Sequence, residues 1–173
     1  AIAPFLRGGM IMDKDEADSL PYVAALRDHL ISGAGHEIYV KDLADSTPLG
    51  NQYHVLRIDD KLKDPENGEV LGYEVIFVGT ADLRAHGNPD TLFLTNTDRE
   101  VRGGDRVRPA DLRLPLNFYP KAPDQKIDAR IISVVDGVAL IGQYNMIILN
   151  KGMADGLDSG SVLAIWQTGK TVR

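Results

Sequence analysis

The alternation of apolar and polar residues is most regular over 53–83, where two β-prone arms flank a short polar stretch. The first arm alternates around Val55, and the second is continuously apolar at 75–78, as in a strand buried on both faces. Between the arms lies Asn67–Gly68, a dipeptide typical of tight hairpins because both residues tolerate the positive φ that a primed turn requires. The pattern predicts a long β-hairpin with Asn67–Gly68 at its tip and with 75–78 among the most buried residues.

Shorter elements precede and follow this hairpin. Asp13 followed three residues later by Glu16 has the form of a capping box, and Pro21 stops any helix that begins there, so a helix is predicted over 14–19. Residues 20–32 fit either a second helix ending at Gly33 or two strands at 22–26 and 29–32. Because strands are predicted on both sides of this region, the interpretation as two strands is favoured. Further strands are predicted at 37–40 and 91–95.

A loose repeat divides the chain. The stretches 91–109 and 145–166 each run from an apolar strand through a polar loop and a Gly-rich turn, and re-enter a strand at Val107 and Val162. Prolines at 115, 120 and 123 mark an extended connector between them. We predict a β-rich module over 1–120 and a smaller β-module over 121–173, a degenerate repeat packed on the first. The predicted fold is mainly β, with small barrel- or sandwich-like modules, a long hairpin and one short helix.

The composition narrows the function classes. The 173 residues include no cysteine, which excludes disulfides and thiolate metal sites. A net charge of −6 argues against nucleic acid as a partner, because phosphates require clustered positive charge. Arginines between 99 and 113 alternate with acidic residues, which predicts a solvated, salt-bridged face. No apolar run approaches the ~20 residues of a membrane span, and a chain that begins at Ala1 is expected to be a piece of a longer protein.

Three patterns that resemble ligand sites have simpler explanations. Residues 64–69 look like an acidic calcium loop, but an EF-hand loop needs Glu at its twelfth position, which is Val75 here. Residues 164–171, AIWQTGKT, nearly match a phosphate-binding loop, yet a strand and a glycine turn are predicted there instead of the required helix. The histidines at 29, 36, 54 and 86 lack metal-ligand spacing. We therefore predict no metal and no cofactor.

Few residues are candidates for a site. Tyr119 and Trp166 have side chains that can stack on sugar rings, although packing on a barrel rim explains them as well. The chain has no G-x-S-x-G nucleophile elbow, and its carboxylates single out no acid–base pair. A non-catalytic protein is predicted. If the chain were an enzyme, its acid would be sought among Asp59, Asp60, Glu74 and Asp105.

Segments along the whole chain carry a family resemblance. They are PFLRGG, LPYV, SGAGHEIYVKD, the hairpin DP-x-NGE-x-LGYE with FVGTADL, EVRGGDRVRP, YPKAPD and IGQYNMIILNKGMADGLDSGSVLAI. Together they resemble the C-terminal region of bacterial LysM-domain, peptidoglycan-binding-type proteins. The sugar-binding LysM module itself lies outside these residues. The hairpin and residues 150–165 are also similar to small β-domains of flagellar and envelope assembly factors, which are binding and scaffolding modules.

The resemblance implies a non-catalytic accessory or scaffolding module in the periplasm or cell envelope of a Gram-negative bacterium. Its expected partner is an envelope protein, or peptidoglycan reached through a LysM module outside this chain. The alternatives are a cell-wall glycan hydrolase and an oligosaccharide-binding β-barrel. No nucleic acid and no membrane span are expected.

Overall fold

The computed structural model describes residues 10–27, 31–44, 46–110, 119–135, 141–167 and 169. The elements in these ranges are β1 (Met10–Met12), α1 (Lys14–Ser19), β2 (Tyr22–Leu26), β3 (Glu37–Lys41), β4 (Gln52–Lys63), β5 (Val70–Ala85), β6 (Asp90–Thr97), β7 (Arg106–Pro109), β8 (Ile131–Val134), β9 (Ile147–Leu149) and a 3₁₀ helix (Met153–Asp155). The predicted mainly-β class with one short α-helix is confirmed. Within these ranges, no helix is long and apolar enough to cross a membrane.

The predicted hairpin is formed by β4 and β5, which pair from Gln52 opposite Asp82 to Lys63 opposite Val70. Three register shifts interrupt the pairing, and such bulges bend and twist a ribbon. In the run 75–78 three residues are buried and one is half-buried. The continuous apolar stretch therefore packs on both of its faces, as the sequence predicts.

The tip of the hairpin differs from the prediction. Six residues, 64–69, separate the strands, and of the Asn67–Gly68 pair only Gly68 has a positive φ, at 75°. The Gly68 N–H donates to the Asp64 carbonyl at 2.8 Å, and the Asp64 carboxylate accepts the Glu66 N–H at 2.8 Å. The aspartate thus holds the backbone in a wider turn, and the predicted two-residue primed turn is not formed.

The second half of β5 pairs with β6, so six strands in the order β5-β4-β7-β2-β3-β6 form a nearly closed antiparallel sheet. Its weakest junction is between β2 and β7, where Tyr22 opposite Arg106 is the one strand pair. Two backbone hydrogen bonds of 2.8 Å join Val23 to Gly104 and Asp105 beside that pair. The enclosed core comprises Val23, Ile38, Val40, Leu43, Tyr53, Val55, Val78, Ala81, Leu83, Leu92, Leu94, Val101 and Val107.

A second core lies outside this ring. Strand β1 pairs with β5, and α1 covers the same region of the ribbon. The helix occupies the predicted residues 14–19 and is followed by Pro21, which cannot continue it. The core residues here are Met12, Ala17, Leu56, Val75 and Phe77.

A third core attaches the C-terminal module. Strands β8 and β9 form a two-stranded sheet that packs on the ribbon through Leu62, Val135 and Ile148. Ser133 of β8 also donates a hydrogen bond to the Glu74 carboxylate of β5 at 2.8 Å. The ribbon therefore contributes residues to all three cores. The predicted boundary near residue 120 stays a prediction, and 111–118 lie outside the described residues.

Two of the shorter predictions need comment. Strand β2 at Tyr22–Leu26 confirms the strand interpretation of that region, whereas Ser32 makes only an isolated bridge to Val101, and 28–30 lie outside the described residues. The strand predicted to begin at Val162 is wrong. Among the described residues near it, only Ser161 forms a bridge, to Lys121, because no neighbouring strand lies alongside 163–167 to pair with them.

Candidate functional site

Three of the four candidate acids lie at one bulge in the backbone pairing of the ribbon. A register shift in β4 places Asp59 and Asp60 opposite Glu74 of β5. The two aspartates are exposed, whereas Glu74 is only 6% exposed and accepts the hydrogen bond from Ser133. Bulges often accompany functional sites, but the contact that Glu74 makes here is structural, because it fastens β8 to the ribbon.

The fourth candidate, Asp105, lies elsewhere, at the junction of β2 and β7. Arg57 donates two hydrogen bonds to its carboxylate, from Nε to Oδ1 at 2.9 Å and from Nη2 to Oδ2 at 2.8 Å. The Arg102 N–H donates a third at 2.8 Å, and Asp105 is 4% exposed. The hydrogen bond to Asp105 raises the pKa of Arg57 above its ordinary value. This bidentate pair is a brace between β4 and the turn that closes the ring.

Two further buried carboxylates stabilise turns. Asp90, 5% exposed, accepts the Gly87 N–H at 3.1 Å and lies 3.2 Å from His86 Nδ1. The other nitrogen of the His86 ring lies 2.8 Å from the Thr47 carbonyl, so this network ties the 86–90 turn to the 46–51 loop. Asp64 organises the hairpin tip and lies 3.3 Å from the Asn150 side-chain nitrogen. Asp64, the first residue of the stretch that looks like a calcium loop, is thus used for turn geometry.

The histidines do not form a cluster in the described residues. His36 accepts a long hydrogen bond of 3.4 Å from the Gly33 N–H, and His54 packs edge-on against Phe77 with centroids 5.3 Å apart. His86 belongs to the turn network described above, and His29 lies outside the described residues. Within the described ranges, no group of three or more metal-ligating side chains could hold an ion.

Arginines of the 99–113 region fasten the helix. Arg106 lies 3.5 Å from the Asp18 carboxylate, donates to the Leu20 carbonyl at 3.3 Å and stacks over Tyr22 with 5.7 Å to the ring centroid. Arg108 lies 3.9 Å from Glu16. Their side chains are only 22% and 30% exposed, so the positive charge is used for packing α1 on the sheet.

The two aromatic candidates are exposed and lie apart along the chain direction. Tyr119 is 87% exposed and Trp166 is 90% exposed. A parallel bridge joins the segment of Lys121 to the segment of Ser161. Tyr119 comes before this bridge in the first segment, and Trp166 comes after it in the second. A sugar platform needs aromatic rings that share one face, so this arrangement favours two separate contacts. The residues Thr168, Lys170 and Thr171 of the phosphate-loop pattern lie outside the described residues.

Exposed apolar side chains are concentrated in the C-terminal part of the described chain. Among the described residues, seven of the twelve large exposed hydrophobic side chains fall within 119–166. They are Tyr119, Ile141, Tyr144, Met153, Val162, Ile165 and Trp166. Large exposed apolar area commonly marks a surface that contacts another molecule. The sequence analysis did not predict this surface. An apolar segment predicts a buried strand whether or not the fold provides a partner strand.

The fold defines a class of protein: a mainly-β chain with a nearly closed antiparallel sheet whose longest hairpin packs against a separate two-stranded sheet. In comparisons with known proteins, no family model matches the chain, and no curated protein matches it significantly.

Proposed function

We propose that this chain is a non-catalytic accessory or scaffolding module of a bacterial cell-envelope protein of the LysM type. The observation that carries the proposal is the concentration of exposed apolar side chains in the C-terminal module. The described buried carboxylates support it, because each has a structural hydrogen-bonding role: Asp64 and Asp90 in turns, Glu74 at the module junction and Asp105 at the ring junction. A catalytic acid needs a proton that it can exchange with substrate.

The envelope location and the LysM association rest on the sequence resemblance. In such a protein, a LysM module would hold the wall while this chain positions or contacts an envelope partner. A net charge of −6 provides no general attraction to an acidic wall polymer. Wall binding is therefore assigned to the LysM module and not to these residues.

Incubation with purified sacculi tests this proposal. We expect the isolated chain to stay in the supernatant and to release no muropeptides, while a longer protein that contains a LysM module sediments with the sacculi. Sedimentation of the chain alone, lost in the Tyr119→Ala and Trp166→Ala variants, would show an oligosaccharide-binding module instead.

A specific observation favours one alternative enough to include it in the same assay. The bulge places Asp59 and Asp60 opposite Glu74 in the backbone register, and glycan hydrolases use a pair of Asp or Glu carboxyl groups. Release of muropeptides by the wild-type chain, abolished by Asp60→Asn but not by the half-buried Asp82→Asn control, would assign the chain to that class and refute the scaffolding role.

A further inference from the structure

The segment 162–166, VLAIW, has the sequence of a strand but is not part of one. It is apolar throughout and carries no charge or proline, which is the signature of a segment prone to pair with another strand. Val162, Ile165 and Trp166 are 60%, 64% and 90% exposed. Native proteins usually cover or charge such an edge, so its exposure requires an explanation.

The hydrogen bonds at the start of the segment show which backbone groups are available. Lys121 donates to the Gly160 carbonyl at 2.9 Å and accepts the Val162 N–H at 2.8 Å, so residues 160 and 162 point their backbone groups toward Lys121. In a β-strand, successive residues point their backbone groups to opposite sides. Paired as a strand, Leu163 and Ile165 would therefore aim their N–H and C=O groups away from Lys121. Among the described residues, neither has a backbone hydrogen bond.

The segment is complementary to itself. When two copies pair antiparallel about Ala164, Leu163 of one copy lies opposite Ile165 of the other, and both carry the available backbone groups. On the other face Val162 lies opposite Trp166. In this register all five apolar residues oppose apolar residues, whereas shifting the centre by one residue brings in Ser161 or Gln167. Ser161 cannot join such a ladder, because its N–H already donates to the Asp158 carbonyl at 3.0 Å.

We propose that Val162–Trp166 is a homodimerisation strand that pairs antiparallel with the same segment of a second copy, with the two-fold axis at Ala164. The absence of charge over 161–167 means that self-pairing places no like charges opposite each other. The inference uses part of the exposed apolar surface on which the proposed function also rests, but its tests measure self-association and not wall binding, so their failures can be distinguished. The interface is isologous, as in most homodimers.

Association is tested by light scattering or sedimentation velocity between about 1 µM and 1 mM, the range of weak, small interfaces. We expect the mass to rise from 18.9 kDa toward twice that value. Ile165→Asp places a carboxylate on each copy inside the paired strands and should keep the chain monomeric. Leu49→Asp is the matched control, since Leu49 is 61% exposed in a separate loop, and it should dimerise like the wild type.

The register is tested by single cysteines, which is simple because the chain has none. At the two-fold axis the Ala164 residues form a non-hydrogen-bonded pair with Cα atoms about 4.5 Å apart, within the range of a disulfide. The two Val162 residues would be about 14 Å apart, four residues out of register, which is too far. Ala164→Cys should therefore cross-link copies at least about tenfold faster than Val162→Cys under mild oxidation.

Three results would overturn the proposal. The first is a chain that stays monomeric at the highest concentration, which would assign the exposed strand to a different partner. The second is equal dimerisation of the Ile165→Asp and Leu49→Asp variants, which would place the interface elsewhere. The third is equal cross-linking through the two cysteine positions.

Discussion

Replacing Asp105 by alanine tests whether the ring depends on a single buried ion pair. The carboxylate is 4% exposed and accepts three hydrogen bonds, two of them from Arg57. Its backbone carbonyl accepts the Val23 N–H at 2.8 Å, at the junction where β2 and β7 share one residue pair. The Asp105→Ala variant removes the anion and leaves a guanidinium that is only 20% exposed without its partner.

The size of the effect follows from burial. Removing one partner of a buried ion pair typically costs about 3–5 kcal/mol, because the remaining charge stays desolvated. Arg57 keeps a fifth of its side chain in water and can partly rehydrate, so the lower end, about 3 kcal/mol, is expected. For a chain of this length each kcal/mol lowers the melting temperature by about 2–4 °C, so a decrease of roughly 10 °C should be observed.

Urea unfolding followed by circular dichroism measures this free energy directly. Asp82→Ala is the control, because its contact with Arg84 is long, at 3.9 Å, and more exposed, and should cost less than about 1 kcal/mol. Asp105→Asn keeps a hydrogen-bond acceptor and should fall between the two. If Asp105→Ala costs no more than Asp82→Ala, the ion pair does not stabilise the ring and this reasoning fails.

Three further outcomes are expected. Phe77→Ala should lower the free energy of unfolding by about 3–5 kcal/mol by emptying the core beneath α1, whereas Asn67→Ala in the exposed hairpin tip should change it far less; urea unfolding compares them. Gly79→Ala should also destabilise, because the added Cβ would clash with the Asn96 carbonyl oxygen of β6, and unchanged thermal unfolding would contradict this. The hydrogen bond from the Gly152 N–H, and then that from Lys151, lowers the pKa of Asp155 below its ordinary 3.8. Because the folded pKa is the lower one, the contribution of this turn persists above pH 3.8 and is lost as the pH falls further, so the Gly152 amide NMR shift should titrate with a midpoint below 3.8.

Local signals predicted the elements whose causes lie within a few residues. The helix was predictable at its end because Pro21 cannot continue it. Its predicted capping box is not formed, because the Asp13 side chain makes no cap hydrogen bond and Glu16 lies 3.9 Å from Arg108 instead. The ribbon was predictable from the apolar run at 75–78. Its tip was not, because the Asp64 carboxylate competes for a backbone N–H and widens the turn, and a dipeptide rule does not include that competition.

Contacts between distant parts of the chain were not predictable. Arg57 and Asp105 are 48 residues apart, and nothing in either local sequence indicates that they meet. The strand expected at 162–166 is a second case in which local sequence did not predict long-range pairing. Its composition is right for a strand, but a strand requires a partner, and apolar periodicity carries no information on whether the fold supplies one.

The ribbon explains how the small two-stranded sheet keeps a defined place on the rest of the fold. Strand β5 contributes Val78 and Leu83 to the ring core, Phe77 to the core beneath α1, and Glu74 to the junction with β8. The C-terminal module, whose own sheet has only two strands, would be marginal alone. It is held against a ribbon whose other residues are fixed by two larger cores. The two-stranded sheet is thereby fixed to the ring through side-chain packing on the ribbon, whose own ladder continues into the ring.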